Sequence, residues 1–323
     1  MPESDLVGGT TLVEVVRSGV LESVHRGSLV ALGPDGCPVL AVGAIDTPVF
    51  PRSSNKPLQA VGMLRAGLDL TGADLALAAA SHSGEPDHVA GTLRILARAG
   101  LDPAALSCPP ALPIEESARD AVIRSGGGPE RRYMNCSGKH AAMLLTCVLA
   151  GWPTVDYIEP EHPLQRAIRG TVEDLTGEKV AAVGVDGCGA PIFALTLTGL
   201  ARGFGRLVTA PPGSAERRVA DAMRAHPHLV AGTGREDTAL MTAVPGLLTK
   251  VGAEGVHAAA LPTGAAVALK IDDGASRARI PALLGALRRL GVDPQQLASV
   301  PADPVLGGDA VVGEIRLRAG VLD

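Results

Sequence analysis

The chain has 323 residues, a net charge of −5, 46% apolar residues and only 2% aromatic ones. That is enough for one or two domains with a core built from Ala, Val and Leu. It has no lysine- or arginine-rich run and no aromatic stacking platform, which excludes a nucleic-acid binder and gives an anionic membrane surface nothing to hold.

In chain order, the first fifty residues carry strand patterns. "TLVEVVRSG", "VLESVHRGSLVALG" and "PVLAVGAI" are rich in β-branched residues, and Pro34-Asp35-Gly36 is a hairpin turn signal. The middle is helical: "KPLQAVGMLRAG", "PDHVAGTLRILARAG", "SARDAVIRSG", "GKHAAMLLTCVLAG" and "HPLQRAIRGTVEDLTG" show helical apolar spacing and end on glycine. A strand-like "KVAAVGVDG" follows, then "PIFALTLTGLARGFG" and the helix "SAERRVADAMRAH". The last third returns to strands in "GVHAAALP", "AAVALKIDDG" and "VVGEIRLRAG", with one amphipathic helix, "ARIPALLGALRRLG", between them. Strands at both ends around a helical middle predict an α/β fold: a mixed, largely antiparallel sheet formed by both chain ends, with helices on its faces. No linker-like shift in composition interrupts residues 1–323, so a single intertwined domain is expected. No run is long and apolar enough to span a bilayer, and the start lacks a basic segment followed by an apolar one. Five scattered cysteines (Cys37, Cys108, Cys136, Cys147 and Cys188) then point to reduced thiols in the cytoplasm.

Polar, glycine-punctuated segments interrupt this background: Ser53–Lys56, "ASHSGEPDH", "MNCSGKH", "VDGCGAP", "VAGTGRED" and "LKIDDG". Ser53 stands three residues before Lys56, and Pro57 marks a helix start. That spacing suits a nucleophilic hydroxyl and an amine base. The alternative is a serine helix cap beside a solvated lysine. Lysine acts as a base only when burial or a nearby cation lowers its pKa from about 10.4. Lys270, at the end of an apolar strand, or Lys250 in "LLTKVG" would be that second cation. Cys136, Lys139 and Cys188 offer three sulfur or nitrogen donors to a zinc ion, with His140 as an alternative donor. Two unrelated buried cysteines account for the same residues.

As an ordered set, "RSSNKPLQ", "ASHSGEPDH", "NCSGKHAAML", "EHPLQ", "VDGCGAP", "HPHLVAGTGR" and "LKIDDG" resemble the rhizobial-type (class 3) L-asparaginases, the asparaginase II sequence family. The resemblance runs from about residue 15 to about residue 320. It implies a fold similar to serine β-lactamases and glutaminases, a homodimer and hydrolysis of L-asparagine to aspartate and ammonia. It further implies two serine–lysine pairs, Ser53 with Lys56 and Ser81 with Lys270, and Asp186 in their polar network. Cys136, Lys139 and Cys188 match the family's zinc ligands, and Arg52, Asn135 and His140 are candidates for substrate contacts. Some members carry cysteine where this chain has Ala79.

The expected chemistry is attack by Ser53 with Lys56 as base, through an acyl-enzyme. Ammonia would leave through Ser81 and Lys270, and backbone N–H groups near Ser53 or Ser81 would hold the oxyanion. Zinc is expected in a supporting role. The alternatives are a hydrolase of the same architecture acting on glutamine or a β-lactam, and a non-catalytic zinc or amino-acid binding protein.

Overall fold

The computed structural model describes residues 9–322. In chain order they form β1 (Thr10–Arg17), β2 (Val20–Leu32) and β3 (Pro38–Val42). Helices α1 (Lys56–Arg65), α2 (Gly72–Ala78), α3 (Pro86–Arg98), α4 (Glu116–Arg124), α5 (Ser137–Ala150) and α6 (Pro163–Thr176) follow. Next come short strands β4 (Val183–Val185) and β5 (Pro191–Phe193), then α7 (Leu197–Thr209), α8 (Ala215–Ala225), α9 (Pro227–Val230) and α10 (Glu236–Ala243). The chain ends in β6 (Leu248–Val251), β7 (Val256–Ala260), β8 (Ala266–Ile271), α11 (Arg279–Arg289), α12 (Pro294–Leu297), β9 (Val305–Gly307) and β10 (Ala310–Leu317). Their contacts form two compact units: one holds both chain ends with residues 194–209, and the other holds residues 55–193 and 210–238.

The unit of the chain ends is built on one antiparallel sheet in the order β6-β7-β8-β2-β1-β10-β9, with β3 also paired to β2. The sheet thus joins strands from the two ends of the chain, as the sequence pattern predicts. β1 turns into β2 through Ser18 and Gly19, both at positive φ (49° and 81°), the two-residue turn whose twist matches that of the strands. The predicted turn at Pro34–Gly36 is also present, with Gly36 at φ 77°. The alternation of side chains assigns the faces. Leu29, Ala31, Val267, Leu269 and Ile271 share a core with Ile280, Leu283 and Leu287 of α11. On the opposite side α7 approaches so closely that a Cβ on Gly205 would lie 2.7 Å from the Gly264 oxygen. A core of small side chains draws backbones together, and glycine is what fits at that crossing.

The other unit is helical, with the β4–β5 hairpin at one edge. Its centre is α1, in which every residue from Lys56 to Leu64 is buried. A helix apolar on all sides belongs inside, and Lys56 is the charged exception. Gly62 lets α1 touch α6: a Cβ there would stand 2.9 Å from the Ile168 Cα. Gly138 does the same for α5 against α2, with Leu77 O at 2.7 Å. This contact sets the start of α5, and with it Cys136, beside the chain leaving α2 at Ala80 and Ser81.

Candidate active site

Lys56 opens α1, and Pro57 fixes its first turn. Its side chain is 1% exposed, and its amine donates to Ala80 O at 2.6 Å, Ser81 Oγ at 2.8 Å and Cys136 Sγ at 3.0 Å. An ammonium has three protons, and these three acceptors use all of them. The sequence pairs Lys56 with Ser53, whereas the serine hydrogen-bonded to Lys56 in the structure is Ser81. The amine sits four carbons from its backbone and reaches the α2–α3 connection, which residue spacing along one turn does not reveal. Ser53 lies half-buried in the 3₁₀ turn Arg52–Asn55 that leads into α1.

Ser81 is 5% exposed and held in a fully bonded segment. Its N–H donates to Val230 O at 2.9 Å, and the N–H of His82 donates to Asn135 O at 3.0 Å. Of the backbone N–H groups near Ser53 or Ser81 expected as oxyanion donors, those of Ser81 and His82 already have carbonyl acceptors. His82 accepts from Gly84 N–H at Nδ1, so its Nε2–H donates to Ser137 Oγ at 2.9 Å. Burial, reinforced by the charges of His88, Lys56 and Arg235, holds its pKa well below the usual histidine range. It is a neutral, fixed ring directly after the serine.

A second cluster adjoins Cys136. Lys139 Nζ donates to Cys188 Sγ at 3.2 Å, and Cys188 Sγ lies 3.8 Å from Asp186 Oδ2. The two thiols are pushed in opposite directions. The hydrogen bond to Cys188, with burial, drives the Cys136 pKa up, and the same bond with the Lys139 ammonium and His140 drives that of Cys188 far down. Burial works against the charge on Lys139, but the sulfurs and Asp186 outweigh it and raise its pKa. His140 is buried, with Nδ1 hydrogen-bonded to the Tyr157 hydroxyl at 2.7 Å, and that hydroxyl accepts Ser107 N–H. Its Nε2 has no hydrogen-bond partner among the described residues, although Cys188 is close enough to shift its titration. Two sulfurs and an amine in one buried cluster are donors of the kind zinc takes, and the His140 imidazole adjoins Cys188. Asn135 sits between the clusters, accepting from Cys136 Sγ at 3.0 Å.

In the unit of the chain ends, Lys270 on β8 is half-buried and donates to Ile271 O at 2.5 Å. Burial lowers its pKa, opposed by the charges of Asp272, Glu254 and Asp273. Lys250, its competitor in sequence, is fully buried on β6 and donates to Val251 O at 3.0 Å. Arg52 adopts a left-handed φ of 52° and faces Glu254 at 3.7 Å, so it already has a carboxylate.

Sequence reasoning missed Tyr157, Ser137 and the carbonyl of Val230. The "VAGTGRED" segment stood out by composition, but nothing in it indicated that it lies along Ser81. Among the described residues no helix is long and apolar enough to cross a membrane.

The chain is similar in structure to EstCE1, a hydrolase with promiscuous acyltransferase activity, at 14% identity and a TM-score of 0.40, covering 86% of this chain and 93% of that one. It is also similar to Mglu in its Tris and glutamate form, at 15% identity and a TM-score of 0.36, covering 93% of this chain and 66% of that one. No curated protein matches it in sequence. The family model of L-asparaginase II, however, matches residues 13–317, nearly the whole length, and the chain belongs to that family.

Proposed function

We propose that this protein is an amidohydrolase that releases ammonia from the side-chain carboxamide of L-asparagine through a serine acyl-enzyme. The observation that carries the reading is the buried hydrogen bond between the Lys56 amine and the Ser81 hydroxyl. Once neutral, the amine accepts the hydroxyl proton as the oxygen attacks the amide carbon, then returns it to the departing ammonia. Water hydrolyses the ester to aspartate, with the same amine as base. The family resemblance adds the Ser53 hydroxyl, the Lys270 amine and the Asp186 carboxylate as further participants. Ser53 as nucleophile is the second reading, favoured by its partial exposure where Ser81 is 5% exposed.

Cys136, Lys139 and Cys188 would hold zinc, which would polarise a bound carbonyl or shape the pocket when present. Its binding requires Lys139 and Cys136 to give up their protons, so metal affinity rises with pH. Homodimer formation and a cytoplasmic location belong to the same reading.

The test is a coupled ammonia assay on purified protein with L-asparagine, L-glutamine and nitrocefin, together with metal analysis of the same sample. Release from asparagine in preference to glutamine is expected. One methylene is worth only about 1–3 kcal/mol, so side activity on glutamine is compatible with the reading. Binding of asparagine without ammonia release refutes it and leaves the non-catalytic alternative. Intact-mass analysis of Ser53→Ala and Ser81→Ala under substrate then identifies the acylated serine.

A further inference from the structure

The segment after α9 lies flat against the Ser81 strand of chain and is fastened at several points. Val230 O and Ala231 O accept from Ser81 N–H and Ser83 Oγ at 2.9 and 2.8 Å. Thr233 donates through its N–H and its hydroxyl to the two oxygens of Glu85, each at 2.8 Å. His88 takes the Glu85 N–H on Nδ1 and donates from Nε2 to His228 O at 2.9 Å. The rings of His82, His88 and His228 stack with centroids 5.1 Å apart. Ligand atoms of Glu85, His88 and His228 lie within 4.8 Å of one another. However, both nitrogens of His88 and both oxygens of Glu85 already hold hydrogen bonds, so the cluster is a fastening rather than a metal site. The approach is so close that a Cβ on Gly232, at φ 128°, would stand 2.5 Å from Ser83 Oγ and Glu85 Oε1.

What this fastening delivers is Arg235. Its guanidinium donates one N–H to Ser83 Oγ at 3.2 Å and imposes its charge on the buried ring of His82, the residue after Ser81. A guanidinium carries five N–H donors, and among the described residues Arg235 meets no carboxylate. Arg52, the arginine singled out in the sequence, already has Glu254. A half-buried arginine without an anion is costly unless a ligand supplies one, and its planar fork matches a carboxylate in bidentate fashion. We infer that Arg235 binds the α-carboxylate of the amino-acid substrate and so selects asparagine over amides that lack it.

This inference rests on the asparaginase reading, and the experiment separates the two. Ammonia release is measured from L-asparagine and from 3-aminopropanamide, which is asparagine without its carboxylate. Arg235→Gln is expected to lower kcat/KM for asparagine about 10- to 100-fold, mainly through KM, the usual worth of a hydrogen-bonded charge. It leaves the weak rate on 3-aminopropanamide unchanged, and Arg235→Lys recovers part of the loss. An equal fall on both substrates, or no fall, overturns the inference. Should the wild-type protein release ammonia from neither, the asparaginase reading fails, and calorimetry with L-aspartate and β-alanine decides. Aspartate binding lost in Arg235→Gln, with β-alanine binding unaffected, supports the anchor. Aspartate binding that is absent in wild type, or equal in the two proteins, overturns it.

Discussion

Lys56 and Lys270 carry the same group in opposite settings. Lys56 is sealed in a helical unit, where its amine meets a carbonyl, a hydroxyl and a thiol and, among the described residues, no carboxylate within hydrogen-bond distance. Lys270 sits half-buried at a strand end, where three carboxylates favour the charge that burial disfavours. The first setting gives the amine one hydroxyl among its three acceptors. The second gives it a backbone carbonyl, that of Ile271, and acidic neighbours. A lysine becomes a base through the groups that surround it, and burial is only one of them.

The comparison is broken most directly by removing each amine. Lys56→Met is expected to lower kcat about 10³-fold or more, near the upper range for a general base, and Lys270→Met about 10²-fold. Equal losses on steady-state ammonia release would abolish the distinction. A smaller effect tests the packing that brings Cys136 to Lys56. Gly138→Ala places a methyl 2.7 Å from Leu77 O and should cost about 1–3 kcal/mol by overpacking. A lowered midpoint in denaturant titration checks it.

The helical unit should also be the acid-sensitive one. His82 and His88 have pKa values depressed by burial. Above the ordinary histidine range both folded and unfolded chains are neutral there, so nothing is gained or lost. Below about pH 6.5 the unfolded chain takes up protons that the fold refuses, at up to about 1.4 kcal/mol per pH unit for each ring. Thermal midpoints should therefore fall between pH 6.5 and 5, and less so in His88→Gln. An unchanged slope in that variant removes His88 from the account.

The smallest expected effect sharpens the description of Lys270. Asp272→Asn removes an anion that favours its charged form, so the limb of the kcat/KM profile that Lys270 sets should move to lower pH. A shift in the other direction contradicts the electrostatic assignment.

The strands were legible because β-branched alternation is local. "TLVEVVR", "AAVALKI" and "VVGEIRL" became β1, β8 and β10, and the two chain ends meet in one sheet as expected. The short β4 was legible only as a strand-like run, since three residues carry little periodicity. Among site residues, the types were readable and the partners were not. Ser53 and Lys56 stand three apart in sequence, yet the Lys56 amine meets a hydroxyl 25 residues away. The zinc-type donors Cys136, Lys139 and Cys188 could be named from their motifs, with His140 as an alternative donor, but the Tyr157 hydroxyl beside His140 gave no signal in the sequence.

The sequence by itself determined the order of elements, the Ala- and Leu-built core and the ordered motifs that mark the family, because each is written in neighbouring residues and their spacing. Only the tertiary structure decided which side chains meet in a hydrogen bond, which backbone N–H is already taken and which arginine, among the described residues, meets no carboxylate. Those facts depend on distances between side chains remote in the chain. They were set by helices that glycines such as Gly62 and Gly138 allow to approach within reach of a single hydrogen bond.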